Sequence, residues 1–422
     1  MSTLFDLDHW QEIRSALAAN KLRTALTAFG VFWGILLLVL LLGSGRGLEN
    51  GVLKGFENGA TNSFFLWTQR TGKPYKGLAS GRRVQLTNED VQAIRQQVPE
   101  AEIVAPRNQL GGFRGGNNVR RGEKTGGFSV MGDQPEILRI RSLEIVDGRF
   151  LNPIDLDERR KVAVIGKRVR DLLFAPTENP IGESVEIQGV YFKVVGTFKI
   201  TQAGPEAEQE EQTVYVPFTT FQSAFNFGNR VGWMAITSKE GVRVSAVETR
   251  VLELLKQRHK VAPDDERAFG HFNLEEEYTK IQGLFGGIST LMWMVGVGTL
   301  LAGAIGVSNI MLIIVRERTK EIGIRRAIGA RPRSIVVQIL LESTILTSIA
   351  GNAGLVAGVL LLEGVSRAMP KSDGPSMFVQ PGVEFGVAVQ ALLILCLAGL
   401  AAGMIPAQRA IAVQPVVALR SE

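Results

Sequence analysis

The chain has 422 residues, 45% of them hydrophobic and 21% charged, with a formal net charge of +6. The apolar residues collect in four blocks while most of the charge lies elsewhere, which excludes a plain soluble protein. A single cysteine, Cys396, excludes an intrachain disulfide framework and a multi-cysteine zinc site, and three scattered histidines argue against a histidine metal cluster.

A helix crossing hydrocarbon of roughly 30 Å needs about 20 mostly apolar residues, because its backbone polar groups must be satisfied internally. Residues 1–25 read as a cytoplasmic segment. Within it, Trp10, Ile13 and Leu17 recur at helical spacing, so Asp8 to Asn20 is expected to form an amphipathic helix on the membrane surface. The first span is placed at 26–45. A cleaved signal peptide is the alternative there, disfavoured by the length of the apolar run and by the patterned stretch before it.

Residues 46–282 carry charges of both signs and short alternating runs punctuated by glycine, proline and asparagine, as in an external α+β domain with a stalk. RKVAVIG, ESVEIQG, YFKVVGTFKI and TVYVPF read as strands. Thr87 to Val98 reads as a helix, capped by Thr87 or Asn88 with acidic residues in its first turn, and Ser245 to His259 as another. GGFRGGNN and AGPEAEQEEQ are expected to be loops; the former lacks the G-x-x-x-x-G-K-[ST] arrangement of a phosphate cradle.

Asn273 and Glu276 have the spacing of a capping box, and Glu275, Glu276 and Glu277 suit a helix N-terminus. A helix running from there through the second span, 283–315, would be roughly 60 Å long, twice the hydrocarbon thickness. Gly283, Gly286 and Gly287 lie within it as a hinge or as a close-packing face. The cytoplasmic segment 316–334 carries seven basic residues against Glu317 and Glu321. The loop at 363–384 has only Arg367 and Lys371, which puts the first loop and both termini in the cytoplasm. Ile324, Ala327 and Ile328 give the basic segment an apolar helical face; Gly329 stops that helix and Pro332 prevents its continuation. It reads as an interfacial helix and as a docking surface for a cytoplasmic partner.

The third and fourth spans are placed at 335–362 and 385–405, followed by a cytoplasmic end at 406–422. Small residues recur four apart at Gly298, Ala302 and Gly306; at Ala350, Gly354 and Gly358; and at Gly399 and Gly403, a spacing that permits close helix contact within a subunit or across a dimer. The first two spans lack charged residues, which disfavours an ion-coupled carrier. Ser308 and Asn309 read as interhelical hydrogen-bonding groups, and Cys396 as a small packing residue. No G-x-S-x-G, H-E-x-x-H or nucleotide P-loop occurs, so no catalytic, cofactor-binding or metal residues are assigned.

The motifs NKLRTALTAFGVFWGI, SNIMLIIVRERTKEIGIRRAIGARPRSI and PAQRAIAVQPVVALR resemble those of ABC transporter permeases of the macrolide-exporter (MacB) type, also called FtsX-like permeases. The ectodomain is similar too, through LTNEDVQAIRQQVPE, VMGDQPEILRIRSLEIVDGRF, RRKVAVIGKRVRDLLF and NPIGESVEIQGVYFKVVG. The resemblance implies an α-helical integral membrane protein of the bacterial inner membrane, with four transmembrane helices and a large α+β periplasmic domain between helices 1 and 2. It implies a dimer, most simply a homodimer, driven by a cytoplasmic ABC ATPase that binds the ATP and Mg. Because no Walker motif occurs, that ATPase is expected as a separate chain. Carried over onto matching positions, the ATPase-coupling residues are Arg316, Glu317, Arg318, Glu321, Ile322, Arg325 and Arg326. The implied function is efflux of drugs, peptides or other amphiphiles with a periplasmic adaptor and an outer-membrane channel; nucleic acid is not an expected partner. Lipoprotein release and control of periplasmic cell-wall hydrolases are the alternatives, the latter set back by the size of the ectodomain. A membrane receptor would need a cytoplasmic signalling domain, for which the cytoplasmic segments are too short.

Overall fold

The structure, a computed structural model, describes residues 21–57, 60–111, 118–141, 143–200, 205–368, 382 and 385–412. The amphipathic helix expected over 8–20, most of the glycine-rich piece at 111–118, most of the loop at 363–384 and the end of the chain from 413 lie outside those residues. The chain divides into two compact units. One gathers the apolar helices, up to Gly51 and from Gly283 onward; the other is built on Val52–Gln282.

The chain enters through α1 (Lys21–Glu57). The second unit then lays down β1 (Ser63–Thr68), β2 (Leu86–Thr87), α2 (Asn88–Gln97), β3 (Ala101–Leu110), β4 (Val119–Arg121), β5 (Lys124–Gly126) and β6 (Ser129–Asp133). There follow α3 (Ile137–Ile140), β7 (Leu143–Gly148), α4 (Pro153–Asp157), β8 (Val162–Gly166), α5 (Lys167–Leu173), β9 (Ser184–Ile187) and β10 (Val190–Ile200). It closes with α6 (Pro205–Glu210), β11 (Thr213–Pro217), α7 (Phe218–Ala224), β12 (Arg230–Val231), β13 (Trp233–Ser238), α8 (Val244–Arg258) and β14 (Phe269–Asn273).

Twelve of these strands form one sheet in the order β14-β1-β13-β3-β6-β11-β8-β10-β9-β4-β5, with β7 also on β10. The pairings are antiparallel except β6 with β11 and β8 with β10. Side chains alternate across a strand, so each strand feeds two faces. On the first face Phe64, Leu66, Met234 and Ile236 pack beneath α2 and α8, while Ala163, Ile165, Phe192 and Val214 pack beneath α5 and α7. On the second face Ala105, Met131, Val164, Phe198, Tyr215 and Ala235 form a further apolar cluster. Burial on both faces is why VAVIG and TVYVP carry unbroken apolar runs rather than the strict alternation of a half-exposed strand.

The expected helix over Thr87 to Val98 is α2, capped by Thr87, and the one over Ser245 to His259 is α8. The acidic stretch read as a loop is in part helical: α6 is anchored by Glu210 to Arg141 and by Glu208 to Arg168. Asn273 accepts from the Glu276 amide at 3.2 Å, as its cap position requires. Glu275, in the first turn of that helix, also accepts from the Val244 amide at 2.7 Å and so serves the N-terminus of α8 as well.

From Leu274 the chain runs unbroken through α9 (Leu274–Glu317), 44 residues, and then α10 (Thr319–Ala327), α11 (Pro332–Ala368) and α12 (Phe385–Ile411). Four helical stretches, Thr24–Leu53, Leu274–Glu317, Pro332–Ala368 and Ala388–Ile411, are long and apolar enough to cross a membrane. Their shared core includes Ile35, Leu38, Leu300, Val307, Met311 and Leu395. Glycine brings the axes together. A methyl group at Gly354 would overlap the Phe32 carbonyl of α1, one at Gly358 would meet Val39, and one at Gly403 would meet Ser343.

The structure gives these faces a direction. The α9 series Gly298, Ala302 and Gly306 faces away from the other helices, with open space beyond Gly298 and Gly306; Gly296 and Gly303 are the glycines that meet α1. Gly283, Gly286 and Gly287 likewise have nothing within 4 Å of an added methyl and make no close-packing face among the described residues. Cys396 is exposed on the outside of α12 rather than packed inside the bundle, and Asn309 also faces outward while Ser308 is buried. A period-four pattern marks a helix face without saying which neighbour it meets.

Candidate functional site

The segment between the second and third spans is shaped by three local signals. At the end of α9 the helix breaks at Arg318, whose own amide still bonds the Ile314 carbonyl and whose carbonyl accepts the Ile322 amide, both at 3.0 Å. Gly329 adopts φ +106°, where a side chain would be strained. The Gly329 amide bonds the Arg326 carbonyl at 3.1 Å and the Ala330 amide bonds the Arg325 carbonyl at 3.0 Å, the two crossed bonds of a Schellman stop. Pro332 is the first residue of α11, where the missing amide hydrogen costs nothing. The proline therefore opens the next helix as well as ending the previous one.

The seven expected coupling residues divide into two groups. Arg318, Ile322, Arg325 and Arg326 turn toward the bundle. Arg318 Nη1 lies 3.4 Å from Oε1 of Glu342, a buried carboxylate on α11. Arg325 donates to Gln338 Oε1 of α11 at 3.2 Å and to Glu321 Oε1 at 2.8 Å, one turn back on α10. Arg326 Nη1 donates to the Ile411 carbonyl at 2.6 Å, at the C-terminus of α12, where helix carbonyls lack intrahelical partners. Ile322 is buried with the bundle core. Around a small cavity of about 30 Å³, Ile314, Arg318, Ile322, Gln338 and Glu342 complete this junction.

Arg316 and Glu317 are exposed, and Glu321 presents its outer side to solvent while paired with Arg325. Lys320 joins them on the surface. The apolar face expected at Ile324, Ala327 and Ile328 is not the face α10 packs into the bundle. Ile324 is 40% and Ile328 83% exposed, whereas Ile322 and Gly323 are buried. Sequence reasoning missed Gln338 and the Ile411 carbonyl as anchors, because neither residue type at those positions signals a contact 13 or 85 residues away. The result is a short amphipathic helix, pinned to two spans on one side and presenting basic and apolar side chains on the other. Among the described residues no grouping of three or more His, Cys, Asp or Glu is placed to hold a metal ion.

A MacB-like periplasmic core domain matches residues 24–254 and an FtsX-like permease C-terminal domain matches residues 293–415. The chain is 30% identical over 423 aligned positions to the macrolide export ATP-binding/permease protein MacB of Bdellovibrio bacteriovorus, covering 99% of this chain and 62% of that protein. It is 32% identical over 406 positions to the pyoverdine export ATP-binding/permease protein PvdT of Pseudomonas entomophila, covering 96% and 58% respectively. The chain thus spans about three fifths of the length of these relatives. Among solved structures, the periplasmic region of MacB from Actinobacillus actinomycetemcomitans aligns with 55% of this chain and 97% of its own, at 21% identity and a TM-score of 0.43. With one family domain covering more than half of the sequence and the second covering most of the helical bundle, the chain belongs to the MacB-like, FtsX-like family of ABC transporter permeases.

Proposed function

We propose that this chain transmits the ATP-driven motion of a cytoplasmic ABC ATPase to its own periplasmic domain, for export of drugs, peptides or other amphiphiles. In this reading the protein sits in the inner membrane with both termini in the cytoplasm. Segment 316–334 meets the ATPase, which holds ATP and Mg, and a periplasmic adaptor and outer-membrane channel complete the path. A second copy packs against the open Gly298, Ala302 and Gly306 face of α9, where small residues allow close helix approach.

The observation that carries the proposal is the bracing of α10. Arg318 to Glu342, Arg325 to Gln338 and Arg326 to the Ile411 carbonyl tie it to α11 and α12, so a push on α10 reaches both helices rather than dissipating in a loose loop. The outward residues Arg316, Glu317, Lys320, Ile324 and Ile328 supply the contact, and Glu321 with Arg325 stiffens the helix between them.

The test is ATP hydrolysis by the cognate ATPase reconstituted with the permease in liposomes. Ile324→Asp with Ile328→Asp adds charge to exposed positions and removes no interior packing. We expect at least a tenfold loss of permease-dependent hydrolysis and of ATPase co-purification, with unchanged membrane insertion and thermal midpoint. Glu321→Ala with Arg325→Ala should lower the same activity. Undisturbed hydrolysis in both variants would overturn the assignment of α10 as the coupling element.

A further inference from the structure

An antiparallel sheet with helices on one face ordinarily turns polar side chains to water on the other. Here the second face of the ectodomain sheet does not. The residues that alternate with the buried Phe64 and Leu66 on β1 are Phe65 and Trp67, and neighbouring strands continue the row. Trp67 pairs with Trp233 of β13, Trp233 pairs with Arg107 of β3, and Phe65 pairs with Phe272 of β14. Toward α3 the face closes over its own apolar cluster, but between the β14 edge and β11 it stays open as a hollow of about 680 Å³. That is the size of a pocket for a small organic ligand. Trp67 and Phe272 remain 37% and 44% exposed at its rim, a cost in water that no contact among the described residues offsets.

The hollow also has a polar pole. Arg107 and Asp133 are both buried and joined bidentately, Nε to Oδ1 at 2.8 Å and Nη2 to Oδ2 at 2.7 Å, so that this guanidinium is already matched. Its Cζ lies 5.6 Å from the centroid of the Trp233 ring. Arg141 is the second cation, 5.8 Å from the Phe65 ring, and its acidic partner is Glu210. That carboxylate belongs to α6, a helix of only six residues, and it lines the hollow alongside the aromatic rings. Arg141 is thus a guanidinium lining an aromatic hollow, and the carboxylate paired with it belongs to a short element.

We propose that this hollow binds a small planar aromatic molecule carrying one acidic group. The ring lies among Phe65, Trp67, Trp233 and Phe272, and the acid takes the place of the Glu210 carboxylate on Arg141. Aromatic walls favour flat rings by offset or edge contact, and the guanidinium fork favours a carboxylate over a point anion. Binding here is a property of the ectodomain sheet and does not depend on how α10 meets an ATPase.

The test uses the full chain in lipid nanodiscs, without ATPase or nucleotide, titrated calorimetrically with 2-naphthoate and with the neutral 2-naphthamide. One naphthoate should bind per chain, at least tenfold more tightly than the amide. Trp67→Ala, at a side chain already partly exposed, should weaken both ligands at least tenfold. Arg141→Gln should erase the preference for the acid. Glu210→Gln should tighten naphthoate several-fold by removing the competing charge, a gain that a folding defect would not produce. Uptake no greater than by empty nanodiscs, as when a second copy of the chain covers the face, would overturn the proposal. So would equal affinity for acid and amide, or affinity indifferent to these substitutions.

Discussion

Asp90 shows how one side chain acquires a role that its neighbours in sequence only half describe. It is the third residue of α2 and accepts from the Thr87 amide at 2.9 Å, as a helix-capping carboxylate does. The fold adds Arg258 Nε at 2.8 Å and His259 Nε2 at 2.9 Å from the end of α8. Burial alone would raise its pKa, but the hydrogen bonds from His259 and Arg258 outweigh it and hold the carboxyl at about 2. A folded value below the unfolded one means stability that is fully present above roughly pH 4 and lost as the pH falls through about 2. Asp90→Asn should therefore cost about 2 kcal/mol near neutrality and flatten the loss of stability between pH 4 and 2. Thermal or denaturant unfolding of the purified chain across that range measures both, and an unchanged acid limb in the variant would refute the linkage. The TNEDVQ segment made the cap legible. The other two donors, 168 and 169 residues away, were invisible to any local pattern.

At the scale of elements, the helices show what spacing carries and what it leaves open. The sequence presents three small-residue series with the same period, and nothing local distinguishes them. The structure turns the α11 and α12 series inward, against Phe32, Val39, Thr347 and Ser343, and leaves that of α9 open. Gly354→Val should push α11 off α1 and lower stability by about 1–3 kcal/mol, read as a fall in the thermal midpoint. Gly298→Val meets nothing among the described residues, so the midpoint should hold while self-association, measured by cross-linking in the membrane, declines. The reverse pattern would mean that the packing assignment of these helices is wrong. For α10, likewise, the sequence supplied the helix, its glycine stop and an apolar face. It did not supply the direction of that face, because Ile322, two residues before Ile324 and so on the opposite side of the helix, competes for the bundle and wins the buried side.

For the whole molecule, the orientation read from Arg316 to Arg333 predicts opposite accessibility for the two units. Cys396→Ser provides a cysteine-free background, since Cys396 makes no part of the interior. In intact cells a membrane-impermeant maleimide should modify a cysteine placed at Tyr191, which is 63% exposed on β10, and should reach one placed at Lys320 only after permeabilisation. The opposite labelling would invert the topology and remove α10 from the cytoplasm. Apolar length determined from the sequence alone that four helices are fit to span a membrane, and the flanking glycine, proline and acidic residues marked where most elements stop. Both are local, since a helix satisfies its own backbone and its ends answer to residues within one turn. Only the tertiary structure decided that β1 lies between β13 and β14, about 200 residues later, and that the resulting sheet is apolar on both faces with one of them partly open. Strand pairing joins segments remote in sequence, and a residue's face has consequences only once the sheet and its covering helices exist.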